Sequence, residues 1–258
     1  MKNFPNYIKE SIPHLETLPA IAEKCISDIK RDCQEYLNII NWSRQQGKER
    51  MLWRGIDRWG GIGTKELNFS SVVPKDNRET LNTPQLLNDL MDDLLEERFG
   101  WRPRKEGVFA YQTPTSSYSY GEPYMIFPVD GFKYVWSPKI KDFFLMFSKY
   151  PAYDFNIERL DDVKRYLNYY NKLDRGKLEI YYNEYIKGFF DMSLDEWFEL
   201  MTPEGIKAKL KIMSDTYIDK WMKKLLISDE REILIKCDKY YCIGEKWHMQ
   251  VKQNFMKI

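Results

Sequence analysis

Apolar residues recur at three- and four-residue steps early in the chain: Ile21, Cys25, Ile29, Cys33, Tyr36, Leu37 and Ile40, with charged residues between them. That is the period of a helix with one buried face. The spacing predicts a helix over 14–46, stopped by Gly47, that covers a later sheet. The pattern then changes. Arg50–Ile56 is a short apolar run bounded by charge and glycine, a strand signal. Gly60, Gly61 and Gly63 follow it without the order of either common nucleotide-binding fingerprint. Thr83 and Pro84 suit the cap and first position of a helix over 84–98, whose stripe is Leu86, Leu87, Leu90, Met91, Leu94 and Leu95. Gly107–Tyr111, Tyr124–Val129 and Lys133–Trp136 read as strands, the last two joined by an Asp130-Gly131 turn.

Further on the pattern predicts helices over 160–173 and 193–200, and a longer one from Pro203 to about Leu226 with Thr202 as its cap. The chain closes with strand-like runs at Glu232–Lys236 and Tyr240–Ile243. Strands in separated pairs with helices between them predict an α+β fold. We expect an N-terminal helical cover over 1–50 and a second unit over 51–258 that carries a helical insertion at about 142–226.

The 258 residues are enough for a substantial core, and a hydrophobic fraction of 43% excludes a disordered tail. A formal net charge of +1 argues against a strongly basic nucleic-acid binder, though a local patch survives such averaging. No apolar run approaches the ~20 residues of a membrane span, and the N-terminus lacks the apolar stretch of a signal peptide. Cys25, Cys33, Cys237 and Cys242 form no CxxC pair, and the histidines are His14 and His248. A structural zinc site is therefore not expected, and the cysteines read as reduced, mostly buried thiols of a cytoplasmic protein. The 18 tyrosines and 8 tryptophans suit either a tyrosine-rich core or a surface on which flat ligands stack.

Three segments combine into possible chemistry. In Leu52-Trp53-Arg54-Gly55, an arginine within an apolar strand needs an anion, and the glycine beside it lets a ligand approach the main chain. Gly107–Tyr111, followed by Ser116-Ser117-Tyr118-Ser119-Tyr120-Gly121, interleaves rings with hydroxyls. Glu230 and Glu232 share a face if their segment is a strand. Taken singly, each has an ordinary explanation: a core ion pair, a polar loop, a charged strand start.

Taken in order, the three segments resemble the ADP-ribosyltransferase superfamily, over residues 51–243. Leu52–Gly55 is similar to the first NAD-binding strand, where toxin-like members carry Arg-Gly. Gly107–Tyr120 is similar to the polymerase-like segment that ends in S-x-x-Y, and Glu230-x-Glu232 to the ExE strand of arginine-class toxins. The resemblance implies a split β-sheet core and NAD as substrate, with no metal. Gly55 and Ser117 would hold the nicotinamide carboxamide, Tyr120 would stack on its ring, and Phe109 would line the same pocket. Arg54 would contact the diphosphate or its ribose. Glu232 would be the catalytic carboxylate, and Glu230 would serve an acceptor, protein or nucleic acid.

Departures are plain. Ala110-Tyr111-Gln112 stand where the toxin-like pattern has Ser-Thr-Ser, and the first and second motifs belong to different branches. Asn183-Glu184-Tyr185-Ile186 is similar to the sequence around the polymerase-like catalytic glutamate, which makes Glu184 a rival to Glu232. The chain also resembles uncharacterised tailed-phage proteins, a likeness that implies no activity. The competing expectation is a non-catalytic binding protein that inhibits a host factor. An RNA 2′-phosphotransferase of the same superfold ranks last, because the chain has too few basic residues and histidines to place in its cleft.

Overall fold

A computed structural model describes residues 20–48, 50–56, 68–75, 83, 85–143, 202–228 and 230–255, with single positions at 176, 179, 180, 183, 193 and 195. The helix expected near the N-terminus is two, α1 (Ala20–Asp32) and α2 (Gln34–Gln45). The break has a tertiary cause. The Asp130 N–H donates to the Asp32 carbonyl at 2.8 Å, so that oxygen is drawn out of the helical ladder, and the Cys33 thiol meets the Phe127 carbonyl at 3.5 Å. Cys33 then sits between the helices at φ −123°, ψ 36°.

Two small antiparallel sheets follow. β1 (Trp53–Ile56), β2 (Ser70–Val72), β4 (Glu122–Pro128) and β7 (Tyr240–Gly244) form one, in the order β1-β4-β7-β2. β3 (Val108–Ala110), β5 (Lys133–Trp136) and β6 (Ile233–Lys236) form the other, in the order β3-β6-β5. Their central strands are continuous apolar runs buried at nearly every residue, as strands covered on both faces must be. The β4–β5 turn uses Gly131 at φ 81°, a left-handed backbone that residues with a side chain rarely adopt.

Helices surround the sheets: α3 (Gln85–Phe99), α4 (Pro103–Glu106), α5 (Pro114–Ser117), α6 (Pro203–Ser214), α7 (Met222–Ile227) and α8 (His248–Phe255). α1 and α2 do cover the first sheet, but their residues share one core with it: Ile29, Cys33 and Tyr36 cluster with Phe127, Tyr241 and Cys242. The long helix expected from Pro203 stops at Ser214, because Arg98 donates to the Ser214 and Tyr217 carbonyls and Ile218 pairs with Trp136 at the edge of β5. α8 was not legible beforehand; Val251 and Phe255 anchor it in the core. The helices expected over 160–173 and 193–200 fall almost wholly outside the described residues. No helix among the described residues is long and apolar enough to cross a membrane.

Tyr36 ties the cover to the sheet. Its ring packs edge-on to Phe127 at 6.0 Å, and its hydroxyl accepts the Leu52 N–H at 2.6 Å. Tyr36→Phe strands that N–H in the core, at a cost of ~1–3 kcal/mol. Each kcal/mol lowers Tm by roughly 2–4 °C in a chain of this size. A thermal melt checks this, and an unchanged Tm would show the bond to be dispensable.

Candidate functional site

The outer strands β1 and β3 face each other and touch once. The Trp53 N–H donates to the Tyr111 carbonyl at 2.7 Å and the Tyr111 N–H to the Trp53 carbonyl at 2.8 Å. Leu52 bonds the other way, its carbonyl accepting the Ile126 N–H at 2.9 Å. Antiparallel bonding alternates residue by residue, so Arg54 bonds toward β4 and Gly55 turns its N–H and C=O back toward β3. There the sheets have parted: β3 pairs with β6, and β1 with β4. Among the described residues no backbone partner meets the Gly55 groups at that edge.

α5 and the 3₁₀ turn Tyr118–Tyr120 pack under Gly55. A Cβ on Gly55 would overlap the Ser117 carbonyl oxygen and lie 2.8 Å from the Tyr120 carbonyl carbon, so only glycine fits. The Ser117 hydroxyl is turned inward and donates to the Pro114 carbonyl at 2.7 Å. Tyr120 is half-buried and stacks on Tyr111, with centroids 5.6 Å apart and planes 9° from parallel. Both hydroxyls donate to one Asp142 oxygen, at 2.8 Å from Tyr120 and 3.1 Å from Tyr111. Burial first, and neighbouring carboxylates second, push both phenols above their ordinary range, so they stay neutral donors.

The acidic pair does not share one environment, because the strand begins only at Ile233. Glu230 is half-buried and accepts from Ser116 at 2.6 Å and from Thr113. Those hydroxyls hold its carboxyl below the usual range, so it is ionised at neutral pH. Glu232 is 4% exposed, and Arg104 donates to it at 2.9 Å. Arg104 is enclosed as well: it also donates to Asn88, and its guanidinium lies 3.9 Å from the Phe143 ring centre and 5.1 Å from that of Phe109. Asp92 accepts the Arg104 and Lys105 main-chain N–H groups at 2.7 and 2.9 Å, which fixes α4 under the site. Burial pushes the Glu232 carboxyl up to about 7, with Arg104 opposing and the Asp142 charge adding. Burial is the largest influence on Arg104 and works against its cation, but the charge and hydrogen bond of Glu232 together with Tyr217 and Asp92 outweigh it, and the guanidinium stays protonated.

The three segments therefore meet, with the middle one touching both others. The side chain of Arg54 does not join them. Alternation along β1 sends it to the face opposite Ser117 and Tyr120, where its guanidinium lies 5.8 Å from the Tyr240 ring centre. Phe109 is half-buried beneath Arg104. Glu184 lies outside the described residues. Sequence reasoning assigned no role to Arg104 and Asp142, and it showed Tyr111 and Gln112 only as part of the second segment; the Gln112 carbonyl oxygen accepts the Arg231 N–H at 2.7 Å. One signal was available: Asn88 and Asp92 interrupt the apolar stripe of α3 four residues apart, and a buried polar pair on a helix implies a buried polar partner. Among the described residues no group of three or more His, Cys, Asp and Glu could hold a metal ion. Comparison with known proteins yields no family model, no curated protein and no solved structure that matches the chain.

Two outcomes follow from this packing. Gly55→Ala must displace residues 114–120 from β1, and overpacking of this kind costs ~1–3 kcal/mol; a melt unchanged from wild type would contradict the contact. The second concerns pH. Glu232 binds its proton more tightly folded, near 7, than unfolded, near 4.5. Its contribution to stability therefore falls as pH rises from about 4.5 to about 7. Asp92, pushed up to about 6 by burial, adds the same sign. Glu232→Gln should flatten the decline of denaturant stability across that window; the same slope in both proteins would place the Glu232 titration elsewhere.

Proposed function

We propose that the chain is an NAD-dependent mono-ADP-ribosyltransferase that moves ADP-ribose to a macromolecular acceptor and releases nicotinamide. One observation carries the reading: at the split between β1 and β3, the Gly55 N–H and C=O meet no backbone partner among the described residues and lie beside Tyr120. A primary carboxamide is the complement of that edge, since its C=O takes the N–H and its NH₂ gives to the C=O. Tyr120 supplies the ring against which the pyridine stacks, in place of or beyond Tyr111, and Phe109 borders the pocket from β3. The split-sheet core expected of the superfamily is compatible with the two antiparallel sheets.

In this reading the rest of NAD crosses the β1 edge. Because β1 is the outermost strand, a ligand passing over it meets both faces, and Arg54 on the far face takes the diphosphate with a guanidinium fork suited to phosphate oxygens. Glu232, at the start of β6 beside Tyr111, is the carboxylate that stabilises the sugar as the bond from C1′ to the nicotinamide nitrogen breaks and its electron pair leaves with nicotinamide. The acceptor nucleophile then bonds to C1′ and loses its proton to Glu230, which is ionised and reachable. Ser117 positions this through its main chain under Gly55, since its hydroxyl is held by Pro114. Its opening toward substrate requires Glu232 to exchange Arg104 for the ribose hydroxyl.

A second reading rests on the same network. Tyr111, Tyr120, Asp142, Arg104 and Glu232 satisfy one another, as a purely structural core would, and the chain is then a non-catalytic binding protein. Melting in saturating NAD and in saturating nicotinamide separates the two. At ~100 times Kd a ligand adds ~2.7 kcal/mol of stability, and no shift with either sinks the enzymatic reading. Where the shift is present, nicotinamide release should rise with pH through about 7, the value to which Glu232 is pushed. Glu232→Gln should remove ~10²–10³ of the rate while keeping the nicotinamide shift, and full turnover in that variant would reassign the catalytic carboxylate.

A further inference from the structure

Away from the split, a groove of about 540 Å³ at α2 and α7 is lined by Ile39, Trp42, Tyr134, Trp221 and Met222, with Lys223 and Lys224. Trp221 is unusual twice over. It is 56% exposed, and it holds a left-handed backbone at φ 64°, which a bulky residue adopts only under constraint. The constraint is visible. Ile218 pairs with Trp136, the Trp136 indole N–H donates to the Lys220 carbonyl at 3.0 Å, and the Met222 N–H donates to the Tyr134 hydroxyl at 3.1 Å. The chain on both sides of Trp221 is thus pinned, and its indole is presented outward on a rigid mount.

The cations are arranged around the rings. Lys220 and Lys224 lie over the Trp221 indole, 4.8 and 5.5 Å from its centroid, and Lys223 lies over Trp42 at 5.5 Å. Among the described residues none of these three lysines has a carboxylate partner in an ion pair. The Asp219 charge acts on Tyr134 beside them. Flat faces beside ammonium groups that form no ion pair among the described residues, in a groove the size of a nucleotide, are complementary to a strand of bases joined by phosphates. An acidic peptide would satisfy the lysines and leave the indoles without a planar partner.

We propose that this groove binds single-stranded nucleic acid, with a base stacked on Trp221 and phosphates drawn to Lys220, Lys223 and Lys224. The proposal is independent of the NAD reading. Fluorescence anisotropy of a labelled single-stranded oligonucleotide against the full chain tests it. Binding should weaken with salt, with a slope of roughly −2 in log K against log salt for three phosphate contacts. Trp221→Gly should weaken it by roughly 5- to 150-fold, the worth of one stacked base, while Tm holds or rises because glycine accepts the left-handed backbone. Lys223→Glu with Lys224→Glu should weaken it further. Absence of binding at low salt, equal affinity for a duplex of the same sequence, equal competition by polyglutamate, or full affinity in Trp221→Gly would each overturn the proposal.

Discussion

The site depends on a single pair of hydrogen bonds, those between Trp53 and Tyr111. They join the outer strands of two sheets at one point and let them separate on either side. Because bonding alternates along a strand, that one bridge also determines where Gly55 points. It sends the glycine's main chain into the gap and the neighbouring arginine to the far face. An edge strand with unpaired groups is ordinarily a hazard that folds conceal. Among the described residues the edge meets Tyr111 on one side and the Ser117 and Tyr120 main chain beneath it.

Below the bridge, charge is buried on purpose and held by geometry. Arg104 meets Glu232 and Asn88 with its nitrogens and lies between Phe109 and Phe143 with its faces. A pair of this kind is expensive to assemble and more expensive to break, since removal of one partner leaves the other unpaired at ~3–5 kcal/mol. The two glutamates of one short motif consequently hold different charge states. Glu230, dressed by hydroxyls, is ionised well below neutrality, whereas Glu232 titrates near it. Two carboxylates separated by their surroundings are what acid–base and charge-stabilising roles on one substrate require.

The two proposed binding regions draw on the same aromatic wealth in different ways. At the split, tyrosines are tied to Asp142 and contribute neutral donors and one stacking face. Between α2 and α7, the exposed Trp221 and the half-buried Trp42 are attended by lysines. The near-zero net charge of the chain conceals this local excess of cations, because acids elsewhere balance it.

Periodicity and turn chemistry carried much of the architecture without help. The stripe of α2, the cap at Thr202, the Asp130-Gly131 turn and the strand-like runs are local matters, decided by which face each residue can bury. The expected stripes of α1 and α3 hold only in part, since Ile21 is exposed and Asn88 and Asp92 are buried beside Leu87, Met91 and Leu95 while Leu86, Leu90 and Leu94 are half-buried. The glycine beside Arg54 read as room for a ligand, whereas the place a Cβ would take is filled by the Ser117 and Tyr120 main chain. Contacts between distant residues decided the rest. The helix broke at Cys33 because Asp130 reached the Asp32 carbonyl, and the helix from Pro203 ended because Arg98 and Trp136 captured the residues after it. Arg104 became the partner of Glu232 across 128 positions of sequence, and Arg54 was turned from Tyr111 and Tyr120 by a bonding phase that the β4 ladder and the Trp53–Tyr111 bridge set together. A main-chain group's partner and a charge's burial are properties of the assembled fold, and no window of neighbouring residues contains them.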